Sequence, residues 1–330
     1  MKVLIIGDTH FHNWSIPQLN WYQEDFLNKI LPDVVKVNKP DIIVFLGDIF
    51  ESKSYVDKKV LNLVFSSFEL LSRLVPRIYI VVGNHDYYSL SEGPAIDFLK
   101  AFGNIAIVDK PSITNNSVPI GFIPWAPTIS KEDVENIISK SEIIFSHVDI
   151  KNLPYNPNIK SVFPKGGLDL SVFSGKLLFN GHYHVPQDNG NVIMVGSIAQ
   201  MDVSEIGYKK RLILFNTRTK EVKEIPLPHP SYVLVEDPLS YNKMVEENNP
   251  HVIPYLNVAK KDKVAYEKIE LEGGNEALLL DKSKEEDILT IALESLQNIY
   301  SQLNEDRKKL VPYSELEEMV ITSYFERKEQ

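Results

Sequence analysis

Five short apolar runs in the first 180 positions each end on a polar cluster. Lys2–Ile6 (KVLII) leads into Gly7-Asp8-Thr9-His10, and Asp41–Leu46 (DIIVFL) into Gly47-Asp48. Arg77–Val82 (RIYIVV) leads into Gly83-Asn84-His85-Asp86, and Glu142–Phe145 (EIIF) into Ser146-His147. Lys176–Phe179 (KLLF) leads into Asn180-Gly181-His182-Tyr183-His184. Continuous apolar runs of four to six residues predict strands buried on both faces. Between them lie helical patterns. Phe26, Leu27, Ile30, Leu31, Val34 and Val35 predict a helix over about 21–38, with a kink at Pro32. Leu61, Val64, Phe65, Phe68, Leu71 and Leu74 predict another over about 57–74, and shorter ones fall near 94–102 and 130–140. Strands alternating with helices make an α/β domain. In such sheets, sites assemble beyond the carboxyl ends of the strands, where every polar cluster above is placed.

From about residue 191 the texture becomes strand-rich. NVIMVGS, RLILFNT and EVKEIPLP predict hairpins or a second sheet, and Pro226-Leu-Pro228-His-Pro230 marks a domain boundary. Residues 1–230 are thus expected to form the main domain. A small α+β segment is expected over 231–282, with strands near 231–236 and 263–271 and a turn at Gly273-Gly274. A helical tail is expected over 283–330. Capping boxes at Ser283–Glu286 and Ser314–Glu317 precede stripes containing Leu289, Leu293 and Leu296, and Leu316, Met319 and Val320. The apolar stripes suit core faces or partner-binding faces, and one sequence does not separate the two.

Composition narrows the chemistry. The 330 residues are 43% hydrophobic and 24% charged, ordinary values for a soluble globular protein. No apolar run reaches the roughly 18–20 residues of a membrane span. The start lacks a signal-peptide cleavage region, so a cytoplasmic protein is expected. With no cysteine, disulfides, iron–sulfur clusters and thiol nucleophiles are excluded. Any metal site must use His, Asp, Glu, Asn or backbone oxygen. The net charge of −10 argues at first against a nucleic-acid partner. Residues 1–230, however, hold 23 Lys and Arg against 24 Asp and Glu, whereas residues 231–330 hold 12 against 21. The acidity belongs to the C-terminal third, and bound divalent ions would make a site locally positive.

Asp8, His10, Asp48, Asn84, His147, His182 and His184 are seven nitrogen or oxygen donors, all expected at strand ends. Seven exceed what one zinc with an open position uses. They suit two ions sharing a bridging carboxylate, a centre that activates water and stabilises in-line displacement at phosphorus. His12 stands two residues beyond His10 and reads as a loop histidine; His229 and His251 lie in Pro-flanked segments and read as surface residues.

The ordered pattern DxH…GD…GNHD…H…GHxH resembles the signature of the calcineurin-like metallophosphoesterase superfamily, with all five parts present. The resemblance implies a four-layer αββα sandwich. It implies one ion on Asp8, His10 and His184, a second on Asn84, His147 and His182, and Asp48 bridging them. His85 would contact the phosphate or protonate the leaving oxygen, and Asp86 would orient His85.

Within the superfamily the chain most resembles the double-strand-break-repair exonuclease subunit SbcD and its phage relatives. Met194–Gln200, Glu205–Lys210 and the strand RLILF look like that family's stretch after GHxH. That resemblance covers about residues 1–230 and beyond them rests on layout alone. It implies a DNA nuclease of end processing, recombination and repair, using Mn²⁺ with Mg²⁺ as substitute and hydroxide as nucleophile. It also implies a homodimer, and tail helices that grip the coiled coil of an SbcC-like ATPase. One position departs: Glu51 stands three residues after the bridging Asp48, where the family often has a histidine. The alternatives are a small-molecule phosphodiesterase or phosphatase of the same superfamily, or a scaffold whose site has decayed. A protein phosphatase is disfavoured, because the GDxVDRG turn is absent and GNHD replaces GNHE.

Overall fold

Each of the five expected strands alternates its side chains between two different apolar layers, and this sets the architecture. In the computed structural model, residues 1–89, 93–115, 118–125, 130–157 and 167–256 are described. The first sheet contains β1 (Lys2–Ile6), β2 (Ile42–Phe45), β3 (Arg77–Val81) and β6 (Ile105–Val108), all parallel, with β13 (Arg211–Asn216) antiparallel beside β1 and β14 (Val222–Pro226) antiparallel beside β13. Its order is β14-β13-β1-β2-β3-β6. Between β3 and β6 lies a small hairpin of β4 (Tyr87–Ser89) and β5 (Gly93–Pro94). The second sheet is built from β7 (Ser112–Asn115), β8 (Pro119–Ile123), β9 (Ile143–Ser146), β10 (Leu177–Asn180), β11 (Gln187–Asn189) and β12 (Val192–Met194), in the order β11-β12-β10-β9-β8-β7.

The burial pattern shows four layers. Val3, Ile5 and Val44 point between the sheets with Phe122, Ile143, Phe145, Phe179 and Phe215. The alternate residues Leu4, Ile6, Ile43, Phe45, Ile78 and Ile80 face helices α1 (Pro17–Asp25), α2 (Leu31–Asn38) and α3 (Lys58–Leu74). On the far side, α4 (Lys131–Lys140) lays Val134, Ile137 and Ile138 over Ile144, Leu178 and Met194 of the second sheet. This is the αββα sandwich, and it explains why the strand runs are continuously apolar: both faces are covered.

The α3 stripe resolves into two parts. Val64, Phe68 and Leu71 are core, whereas Phe65 stays 40% exposed. The helix expected over about 21–38 carries a widened turn just before Pro32. Residues Phe26–Ile30 adopt a π-helix in which Leu31 N–H bonds Phe26 O, so the chain runs from α1 into α2 without a break. Proline has no N–H for an α-helical bond, and the wider turn accommodates its ring. The pattern near 94–102 forms only a single 3₁₀ turn at Asp97–Ala101. RLILFNT and EVKEIPLP form a hairpin, but it extends the first sheet, while NVIMVGS supplies β12 of the second.

After Pro230, β15 (Ser231–Val235) and β16 (Val252–Leu256) pair in parallel, joined by α5 (Pro238–Glu247). Tyr232 and Ile253 are buried in the same apolar cluster as the outer face of the first sheet. The strand expected near 263–271, the turn at Gly273-Gly274 and the tail over 283–330 lie outside the described residues. Among the described residues no helix is long and apolar enough to cross a membrane.

Candidate metal centre

The loops beyond the carboxyl ends of β1, β2, β3, β9 and β10 meet at one point, and backbone hydrogen bonds lock them there. His10 N–H donates to Asp48 O (2.9 Å) and Phe11 N–H to Ile49 O (2.8 Å), stitching the β1 loop to the β2 loop. His85 N–H donates to Asp48 Oδ1 (2.8 Å), which ties in the β3 loop. His182 N–H donates to Asp8 Oδ1 (3.0 Å), linking the second sheet to the first. The approach is close enough to exclude side chains at two glycines. A Cβ on Gly83 would sit 2.2 Å from Asp48 Oδ1, and one on Gly181 would sit 2.6 Å from both Asp8 Oδ1 and Leu46 O. His10, Asp48 and His182 hold φ of 46°, 48° and 71°, a left-handed conformation that non-glycine residues adopt at a cost of about 1–3 kcal/mol each.

All seven expected donors are brought together. Asp8, His10 and His184 place donor atoms within 4.8 Å of one another, and so do Asp48, His147 and His182. Asn84 joins the second group: its Oδ1 lies 3.0 Å from both His147 Nε2 and His182 Nδ1. Asp48 spans the two groups through a single oxygen, Oδ2, which lies 3.7 Å from His10 Nε2 and 3.4 Å from His147 Nε2. His12 is elsewhere, its ring edge-on to Trp14 and its backbone held by Gln23.

The donor set fits cations. Asp8 Oδ2 is buried with no hydrogen-bond partner, an arrangement that is costly without a positive charge beside it. The Nε2 atoms of His10 and His184 face each other at 3.0 Å, two ring nitrogens directed at one point. Burial alone would lower the pKa of His147, but Asp48 and Asp8 outweigh it and push the group up to about 10. The same contest at His10, with Glu51, Asp48 and Asp8 opposing burial, pushes it up to about 9. The carboxylates thus demand positive charge at the two positions where the donor atoms converge. Divalent ions bound there would supply that charge.

A family model described as calcineurin-like phosphoesterase matches residues 1–186. The chain belongs to that family. Solved structures similar to this phosphoesterase include an archaeal phosphodiesterase, at 14% identity, covering 69% of this chain and 100% of that one, with a TM-score of 0.36. Nuclease MPE of Pseudomonas putida aligns at 14% identity over 68% of this chain and 87% of its own, with a TM-score of 0.30. The phosphoesterase Yfce of E. coli aligns at 12% identity over 69% and 100%, with a TM-score of 0.33. No curated protein matches the chain in sequence.

In this calcineurin-like phosphoesterase three of the four clustered histidines have their outward nitrogen hydrogen-bonded, and the fourth, His10, has a carboxylate beside it. His147 Nδ1 donates to Leu46 O (2.7 Å), His182 Nε2 meets Asp149 Oδ1 (3.0 Å), and His184 Nδ1 meets Glu205 Oε1 (3.2 Å). His10 Nδ1 lies 2.6 Å from Glu51 Oε2. Such contacts select the tautomer and leave the other nitrogen free for an ion. Behind His184, Lys210 is buried to 1% exposure and pairs with Glu205; it also donates to His184 O (2.7 Å) and Ser197 Oγ (2.9 Å). Asp149, Glu205 and Lys210 were not identified as site residues from sequence. Glu205 and Lys210 stand in the stretch that resembles the exonuclease subunit, whereas Asp149, two residues past His147, carries no motif signal.

Asp86 is a correction. It does not orient His85: its Oδ1 accepts from Ile49 N–H (2.9 Å), and its Oδ2 accepts from Asp48 N–H (3.0 Å) and Gly83 N–H (2.8 Å). Asp86 therefore shapes the backbone around the bridging carboxylate. Burial pushes its carboxyl up to about 7, with the charge of Asp48 adding to the effect. The His85 imidazole instead donates from Nδ1 to Glu51 O (2.5 Å), and burial lowers its pKa.

Proposed function

We propose that this phosphoesterase is a two-metal DNA nuclease working beside an SbcC-like ATPase in DNA end processing, recombination and repair. The observation that supports phosphodiester hydrolysis is the pair of donor groups sharing Asp48, with His85 at their edge. Divalent ions held there, Mn²⁺ first and Mg²⁺ as substitute, would supply Lewis-acid charge and a water acidic enough to attack phosphorus. Asp8, His10 and His184 would hold one ion, and Asn84, His147 and His182 the other. Asp48 Oδ2 would fix the spacing between them. With Nδ1 committed to Glu51 O, His85 presents only Nε2 to a substrate, from a ring centred 5.0 Å from that of His10. From there, once Nε2 is protonated, it would contact the phosphate or pass that proton to the leaving oxygen.

DNA as substrate is supported by the resemblance of the stretch from Met194 to Lys210 to the exonuclease subunit. The test is purified protein with Mn²⁺ on labelled linear DNA, with and without the ATPase. Metal-dependent cleavage is expected, and its absence in both cases sinks the reading. His85→Ala should retain both ions and lose about 10²–10⁴-fold in rate, the usual worth of a proton-transfer group. Asp48→Ala should lose metal as well. For the partner, removing residues 283–330 should abolish association with the ATPase; co-elution of the shortened chain would refute that role. Dimerisation through the exposed part of α3 is proposed alongside, and sedimentation of the full chain measures it.

A second reading, a small-molecule phosphodiesterase, has one observation in its favour. A cavity of about 240 Å³ opens beside His182 and His184, lined also by Tyr155, Asn156, Asp202 and Glu205. Its size suits a small ligand, and its acidic wall does not suit a polyanion. Turnover of cyclic nucleotides well above that of DNA would favour this reading.

A further inference from the structure

Glu51, the residue standing where the resembled family often has a histidine, touches two histidines at once. Its backbone carbonyl accepts from His85 Nδ1 (2.5 Å), and its carboxylate Oε2 lies 2.6 Å from His10 Nδ1. These contacts use different parts of the residue and reach loops after different strands, His10 after β1 and His85 after β3. The placement is built by the backbone. Phe11 N–H donates to Ile49 O (2.8 Å) and Glu51 N–H to Phe11 O (3.3 Å), a short parallel bridge between Phe11 and Phe50 that holds the two loops side by side. The bridge runs Glu51 alongside Phe11, and the Glu51 side chain reaches back from there to His10. The imidazole of His10 is 1% exposed, while the Glu51 side chain is 35% exposed. The carboxylate thus closes the outer side of a buried ligand.

We infer that Glu51 is a positioning residue for the ion held by Asp8, His10 and His184, with its carboxylate turning His10 Nε2 toward that ion and its backbone separately fixing His85. The inference rests on the two-metal reading above. An imidazole whose Nδ1 faces a carboxylate keeps its proton there and offers Nε2 to a metal, and such supporting contacts are typically worth about 10- to 100-fold in metal affinity. The opposite role for an acidic residue at the rim is repulsion of the substrate phosphate. The two roles separate cleanly. Removing the charge while keeping the backbone should weaken metal binding if Glu51 positions His10, and should lower KM for an anionic substrate if Glu51 repels it.

The experiment uses the full chain as wild type, Glu51→Gln and Glu51→Ala, with folding checked by thermal melting in the absence of metal. Mn²⁺ is titrated by calorimetry and by loss of the free-ion EPR signal. Turnover of bis(p-nitrophenyl) phosphate is then followed against both Mn²⁺ and substrate. Wild type should take two Mn²⁺. In Glu51→Gln, which is close to isosteric, one of the two affinities should fall by about 10-fold or more. Turnover should recover as Mn²⁺ is raised, with KM at saturating metal held at the wild-type value. Glu51→Ala should show the same effect more strongly. Both Mn²⁺ affinities within twofold of wild type in the two variants would overturn the inference, and so would a lowered KM with unchanged metal binding. If wild type itself takes no Mn²⁺, the two-metal reading falls, and the role of Glu51 falls with it.

Discussion

At the scale of single residues, the centre is a set of side chains each doing two jobs with two different atoms. Asp8 and Asp48 give Oδ1 to a backbone N–H from another loop and keep Oδ2 for the cation position. His147, His182 and His184 likewise hydrogen-bond one nitrogen outward and turn the other toward the cluster of donors. Asp86 has only the structural job, and this leads to a prediction. Asp86→Ala would leave the N–H groups of Gly83, Asp48 and Ile49 unpaired in a buried place, at about 1–3 kcal/mol each. Its melting temperature should fall steeply in the metal-free protein, where a residue that merely aimed His85 would change turnover and spare stability. That these donor side chains converge was legible in the sequence because a donor directly after a buried apolar run sits at a strand end, and five such ends recur in order. Their supporting partners were not. Glu205 is 21 positions from His184, Leu46 acts through a carbonyl that every residue has, and Asp149 resembles any loop aspartate.

At the scale of elements, the strand runs and the α3 stripe were readable because burial on two faces or one leaves a period in the sequence. Reading stopped where one apolar pattern allows two partners. RLILFNT and NVIMVGS look alike, yet one pairs with β1 in the first sheet and the other with β10 in the second. The α3 stripe contains both core and surface. Phe68→Ala should cost about 3–5 kcal/mol in chemical denaturation, because Phe68 is fully buried. Phe65→Ala should cost far less, since that ring is 40% exposed. Equal losses would show that the whole stripe is covered in solution. The strand ends give a sharper test. Gly83→Ala puts a Cβ 2.5 Å from Asp48 N as well as against Asp48 Oδ1. It should abolish binding of both ions in an Mn²⁺ titration, because Asp48 belongs to both groups.

At the scale of the whole molecule, the charge gathered at the centre makes stability depend on pH in a direction that metal should reverse. His10 and His147 are pushed above the ordinary histidine value, to about 9 and about 10. Their contribution is therefore complete below about 6.5 and is lost as pH rises through 9–10 in the metal-free protein. Asp48 is held below its ordinary value: burial opposes this, but His147 and His10 outweigh it. Its contribution is present above about 3.8 and is lost in acid. Asp86, pushed up to about 7 by burial, adds stability that is lost as pH rises from about 3.8 through 7, so metal-free protein should be most stable near pH 4 and should melt earlier as pH rises toward 10. Saturating Mn²⁺ should remove the alkaline loss, as ions take over from the protons. A melting temperature independent of pH from 7 to 10 without metal would contradict this charge balance.

The sequence by itself determined the donor residues, their places at strand ends and the α/β class, because periodicity and chemical type are local properties written residue by residue. The tertiary structure alone decided which sheet received each late strand, that Asp86 holds backbone rather than His85, and that Glu51, Asp149 and Glu205 stand against His10, His182 and His184. Those facts depend on contacts between positions tens of residues apart, fixed by how two twisted sheets bring their strand ends to one point.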